Sequence, residues 1–341
     1  GVDCSDHEVN IKILLDRLVD DGRLDRPARD ALLAQMTDEV AELVLTDNRN
    51  QNWVLGIARA HAADMVGVHS RLVADLEARR GLDRTLEVLP DPAGFAALEA
   101  QGVGLTSPEL ATLLAHTKLD LTAQLIDSDL PDVAAFADRL PDYFPRPLRE
   151  RFPEAIAAHP LRREIVTTLL VNEMVDHAGM TYAFRLREEL SASAADAVRA
   201  FAVTTAVFDL PELWTRLRDP AIPTAVSDAI TLESRRLLDR ASRWFLINRP
   251  QPLAVRAEVA RFAERVRALR GQLPDLLRGR ERDTIHKRAA ELDRSGVPAQ
   301  DARRAAALVH EFELLDVVEI SELAEREREP RDLVEVAKLY Y

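Results

Sequence analysis

Two short stretches place a histidine directly before a glutamate: His7-Glu8 and His310-Glu311. Each is half of the pattern with which a zinc-binding helix holds its metal. The other half, a second histidine four residues after the first, is absent, because those positions are Ile11 and Leu314. No metal ligand is assigned. His61 and His69 stand two turns apart on one periodic stretch and read as satisfied helix-face histidines. Gly102-Val103-Gly104 is the one G-x-G, and it lacks the preceding strand, third glycine and later acidic residue of a nucleotide loop, so no cofactor-binding residue is assigned. There is no G-x-S-x-G elbow, and Cys4 has no catalytic setting. Glu173 and Asp176, one helical turn apart, have the spacing of an acid pair. With Arg162 and Arg163 nearby in sequence they read as structural ion pairs instead. No catalytic residue is assigned on these grounds. Ser5 remains: with Glu8 three residues on, it reads as a capping box at the start of a helix over about 6–20.

Those residues must be positioned by helices. Apolar residues recur every three to four positions almost throughout, and twelve glycines are few for 341 residues. The first helix carries Ile11, Leu14, Leu15 and Leu18 as its apolar stripe and stops at Gly22. Pro27 suits a first turn, and Thr37 is expected to cap a second helix. Asn48 to Arg80 keeps helical spacing through Val54, Ile57, His61, Met65, Val68, Leu72 and Leu76, which predicts one long helix stopped by Gly81. Ser107 is expected to cap a helix, with Pro108 at its first position and Glu109 in its first turn. The proline-rich stretch 131–160 is a stiff connector, and the main domain boundary is expected within or near it. A helix broken at Gly179 follows, then helices at about 193–208, 211–218, 223–248, 252–270, 281–294, 298–311 and 330–341. Trp53, Trp214 and Trp244 are expected in core or interface. The fold class is all-α: a multi-helix bundle with one long helix and no significant sheet, belonging to a larger multidomain chain.

Composition excludes several functions. The formal charge is -13, with 47% hydrophobic and 30% charged residues, so the chain gains nothing from approaching nucleic acid or an anionic membrane. No apolar run reaches the ~20 residues a membrane span needs, and no export leader is visible. One cysteine excludes an internal disulfide framework, and the expected home is the cytoplasm.

The opening GVDCSDHEVNIKIL resembles a segment of the large bacterial NAD-dependent glutamate dehydrogenases. TDEVAELVLTDN, LTSPELATLLAHTKLDL, YFPRPLRERFPEAIAAHPLRREIVTTLLVNEMV, FRLREE and RRLLDRASRWFLIN are similar to that family's C-terminal region, in the same order. The resemblance implies oxidative deamination of L-glutamate to 2-oxoglutarate and ammonia by the longer enzyme. In the superfamily a Gly-Val-x-x-Ser stretch opens the helix that returns to the substrate domain. Carried over to Gly1-Val2-Asp3-Cys4-Ser5, Val2 lines the pocket for the substrate side chain and the Ser5 hydroxyl donates to the distal carboxylate. Ser5 thus has two readings, helix cap and substrate contact, and both can hold.

The family's catalytic groups and its NAD-binding domain are expected upstream of Gly1, so the chain by itself is expected to be inactive. Three parts are expected: 1–22 as the end of the catalytic domain, 23–140 as a helical subdomain, and 141–341 as a truncated C-terminal helical domain. Expected partners are the catalytic core of the same polypeptide, further copies in a homo-oligomer, and glutamate or 2-oxoglutarate. The first helix is expected to leave its apolar face partly exposed for that core. The alternative is a free-standing helical interaction module without enzyme activity.

Overall fold

The computed structural model describes residues 2–327 and 332–341, with side chains from Asp6 onward. Among the described residues there is no strand, and no helix is long and apolar enough to cross a membrane. The chain divides into two compact units, Gly1–Phe184 and Arg185–Tyr341.

The first unit begins with α1 (Val2–Asp20), α2 (Arg26–Ala60), α3 (Val66–Arg80), α4 (Pro92–Gln101) and α5 (Ser107–Ile126). The proline-rich stretch follows as 3-10 turns Leu130–Asp132 and Leu140–Tyr143 around α6 (Ala134–Ala137), then α7 (Arg146–Arg151) and α8 (Pro153–Ala157). α9 (Arg162–Ala178) closes the unit, and α10 (Tyr182–Leu190) carries the chain past the division. Asp25 caps α2 by accepting from the Ala28 N–H at 2.7 Å, with Pro27 in the first turn as expected. α5 is capped one residue earlier than expected, at Thr106, whose backbone N–H donates to Glu109 at 2.6 Å. Because α1 already runs from Val2, Ser5 lies within its first turn and not at the N-cap.

The long helix is displaced from its expected place. α2 starts at Arg26, so Thr37 lies inside it and its hydroxyl donates to the Leu33 carbonyl at 3.2 Å. The chain breaks between Ala60 and Val66. Spacing alone does not reveal the break, because the turn keeps Ala62 and Val66 inward at 5% exposure each. Gly104 backs onto this turn, where a Cβ would fall on the Ala62 carbonyl group.

Ile11, Leu14, Leu15 and Leu18 are buried to 2% exposure or less. This corrects the expectation of a partly exposed face: α1 packs on α2 and α8 within the chain. The division between units falls at Phe184/Arg185. The proline-rich stretch stays in the first unit because its turns keep planting apolar side chains inward: Leu130, Phe136, Leu140, Phe144, Leu148 and Ile156 are all buried.

The second unit comprises α11 (Ala194–Val207), α12 (Leu210–Leu217), α13 (Thr224–Asn248), α14 (Val255–Arg270), α15 (Leu273–Leu276), α16 (Gly279–Arg294), α17 (Ala299–Glu311), α18 (Leu314–Arg326) and α19 (Leu333–Tyr340). α18 is absent from the sequence expectation, although Leu314, Leu315, Val317 and Val318 bury one face of it. α11 packs against α13 and α14, and α16 against α17. Trp214 is buried with its indole N–H donating to Ser234 at 2.9 Å. Trp244 is buried and donates to Asp316 at 2.7 Å. Trp53 is half-buried, edge-on to His177.

Candidate functional site

The helix that opens the chain carries buried polar groups where an amphipathic helix would put apolar ones. His7 and Asn10 are 5% and 4% exposed. A buried polar side chain must find partners, and those partners come from residues far along the chain. Tyr143 ends the second 3-10 turn and reaches α1: its hydroxyl donates to Asp6 at 2.8 Å and accepts from the Asn10 amide at 2.9 Å. Its ring stacks on His7, with centroids 4.2 Å apart. Burial first, and then the neighbouring carboxylates of Asp6 and Asp47, push the phenol above its ordinary pKa, so Tyr143 works as a neutral donor. His159, between α8 and α9, meets the Asn10 carbonyl with Nε2 at 3.1 Å. Its Nδ1 accepts the Leu161 N–H at 3.1 Å. That pair of contacts assigns the proton to Nε2, and burial lowers the pKa of the ring so that it stays neutral.

Beside this contact lies a cavity of about 270 Å³. α1 lends it Asp6 and His7, α2 lends Thr46, Asp47 and Asn50, and α9 lends Asn172, Glu173, Asp176 and His177. His7 Nε2 lies 3.1 Å from Asp47, while its Nδ1 has no hydrogen-bond partner. Glu173 pairs with Arg139, and Asp176 pairs with Lys118 at 2.9 Å. The carboxylates are therefore largely engaged in holding helices together. Among the described residues no group of three or more His, Cys, Asp or Glu side chains could hold a metal. The arrangement ties α1 to Tyr143 and His159.

Val2, Cys4 and Ser5 have side chains outside the described residues. The backbone places Ser5 in the first turn of α1, directly before Asp6. Glu173 and Asp176 are structural ion pairs, with Arg139 and Lys118 as partners; Arg162 and Arg163 bind Asp132 instead. His61 follows α2 and faces Asp64 at 3.9 Å, whereas His69 is buried in α3. His310 turns to Glu313 at 3.5 Å, and Glu311 is fully buried beside Arg304. The G-x-G is structural: Gly102 ends α4 at positive φ and Gly104 backs onto the Ala62 turn. The loop joins two helices, α4 and α5, where a dinucleotide fingerprint joins a strand to a helix. Sequence reasoning missed Asn10, Tyr143, Asp47 and His159. Asn10 gave one signal, an amide one residue before Ile11 at the edge of an apolar stripe.

The family described as "Glutamate dehydrogenase, C-terminal" matches residues 102–341. The family described as "Bacterial NAD-glutamate dehydrogenase, catalytic domain" matches residues 1–58. Three proteins named NAD-specific glutamate dehydrogenase are similar to the chain. That of Mycobacterium tuberculosis is 50% identical over 318 residues, 93% of this chain and 20% of the relative. That of Pseudomonas aeruginosa is 39% identical over 343 residues, 100% and 21%. That of Halomonas elongata is 36% identical over 341 residues, 98% and 21%. The chain thus spans about a fifth of the length of these relatives.

Proposed function

We infer, since the chain belongs to the glutamate dehydrogenase C-terminal family, that it is part of an NAD-dependent glutamate dehydrogenase. The longer enzyme oxidatively deaminates L-glutamate to 2-oxoglutarate and ammonia in the cytoplasm. NAD and the reacting groups are held by parts of the enzyme outside this chain. The chain contributes one edge of the substrate pocket, with Val2 against the substrate side chain and the Ser5 hydroxyl donating to its distal carboxylate. The remainder is a helical scaffold that packs on the catalytic core and takes part in assembling subunits.

One observation carries this reading. α1 and most of α2 fall in the stretch matching the catalytic-domain family, while Tyr143 and His159, which grip α1, fall in the stretch matching the C-terminal family. The helix bearing Ser5 thus belongs to the first match and is bonded by residues of the second. A helix start also suits a carboxylate ligand, because its free N–H groups and dipole attract negative charge. The rival reading, a helical interaction module, draws support from the burial of the α1 apolar face within the chain.

Ser5→Asp in the full-length enzyme tests the substrate contact. Aspartate in a first helical turn suits the dipole, so the melting temperature should stay within a few degrees of wild type. Against the substrate it sets a carboxylate before a carboxylate and replaces a donor by an acceptor. The expected loss in kcat/KM for glutamate is at least ~100-fold, roughly 2.7 kcal/mol, with less effect on NAD. Near-normal kinetics with glutamate would remove Ser5 from the substrate pocket.

A further inference from the structure

We propose that Tyr143 and His159 are positioning residues for the substrate edge, fixing the rotation and axial height of the helix that carries Ser5. The proposal rests on the reading of Ser5 as a substrate contact and names the residues through which the C-terminal region acts on it.

The contacts converge on one short piece of α1. Tyr143 bonds Asp6 and Asn10 and stacks on His7, and His159 bonds the Asn10 carbonyl. All lie within the turn and a half that follows Ser5. Tyr143 and His159 are 3% and 2% exposed, so water does not substitute for them. The two residues measure different coordinates. Asp6 and Asn10 are four apart and share one face, joined by their own hydrogen bond at 3.2 Å. A hydroxyl bonded to both reports the rotation of that face. The Asn10 carbonyl points along the helix axis, so the His159 N–H bonded to it reports axial height. His159 is itself anchored, since its other nitrogen accepts from Leu161 at the foot of α9.

Burial of apolar surface does not need this apparatus. Ile11, Leu14, Leu15 and Leu18 already pack inside, and an apolar stripe tolerates small slides. A slide of one residue moves the helix 1.5 Å and turns it by about 100°, which breaks every one of these polar contacts together. A misplacement of about 1 Å at a reacting site can cost ~100-fold in rate. The contact therefore converts the packing of the C-terminal region into the placement of Ser5.

The test uses full-length enzyme carrying Tyr143→Phe, Ser5→Ala, and both. Tyr143→Phe keeps the ring on His7 and removes only the hydroxyl. Expected is a fall of about tenfold in kcat/KM for glutamate, with KM for NAD within twofold and the melt within a few degrees. In the Ser5→Ala background the same change should add little, because the group being positioned is gone. Asn10→Ala is the second variant if Tyr143→Phe folds poorly; it too should affect glutamate and not NAD. If Ser5→Ala alone leaves glutamate kinetics unchanged, the substrate reading of Ser5 fails. If Ser5→Ala is impaired but Tyr143→Phe is silent, additive with it, or equally damaging to NAD, positioning is overturned while the Ser5 reading survives.

Discussion

Acidification should loosen the first unit through one histidine. His69 is 2% exposed in α3, among Val66, Leu72, Val73 and Leu76, and its Nδ1 has no hydrogen-bond partner. Burial lowers its pKa from 6.5 to about 4. Above pH 6.5 the ring is neutral in folded and unfolded chain alike and contributes no pH dependence. Below 6.5 the unfolded chain takes up a proton that the folded one refuses until about pH 4, so stability falls across that window. The full shift of about 2.5 units corresponds to about 3 kcal/mol, and roughly 2 kcal/mol is already lost at pH 5. His69→Leu removes the titration while keeping the site filled. The assay is amide-exchange protection of α3 in wild type and variant at pH 7.5 and pH 5, using the difference between the two proteins so that other groups cancel. Wild type should lose about 2 kcal/mol more than the variant. Parallel behaviour at both pH values would mean that the imidazole is solvated, and would refute the burial argument.

The second unit should respond with the opposite sign. Glu311 is fully buried, and burial raises its pKa to about 7 against the pull of Arg304, whose guanidinium keeps its charge while donating to the Phe208 and Asp209 carbonyls. Stability present at pH 4.5 is then lost as pH rises toward 7, and exchange protection in α17 should show this in wild type and lose it in Glu311→Gln. Gly104→Ala drives a Cβ into the Ala62 backbone, which cannot yield as a side-chain tip would; a urea melt should report a loss of about 1–3 kcal/mol, and a loss under ~0.5 kcal/mol would mean the loop moves freely.

The helical class and most helix ends were legible from local chemistry. Gly22, Gly81 and Gly179 all take positive φ where helices were expected to stop, because only glycine enters that region without a Cβ penalty. Pro27 and Pro108 sit in first turns, where the missing N–H costs nothing. What remained hidden is set by meetings between distant segments. The break after Ala60 preserves the apolar spacing and leaves no trace in it. The 131–160 stretch carries linker composition, yet its short helices and turns place Phe136, Leu140, Tyr143, Leu148 and Ile156 inward. Tyr143 and Asn10 are more than a hundred residues apart, and nothing in either neighbourhood names the other. Val2 and Ser5 came from resemblance alone; spacing offered only a cap at Ser5, and the helix begins before it.

The balance of forces on α1 explains why polar groups occupy buried positions there. Its apolar stripe supplies the driving force for docking, at roughly 1.5–3 kcal/mol for each fully buried large side chain. The hydrogen bonds of Tyr143, Asn10 and His159 add less, about 0.5–1.5 kcal/mol each, because water satisfied the same groups before folding. Their weight lies in the misdocked states. If α1 turned by a fraction of a residue step, the stripe would keep part of its burial, but three buried polar groups would lose their partners at about 1–3 kcal/mol apiece. The penalty on the wrong register thus exceeds the reward for the right one. A helix needed only for stability would be better served by leucine at position 10; a helix that must present its first turn at a fixed place is served by an asparagine that tolerates a single arrangement.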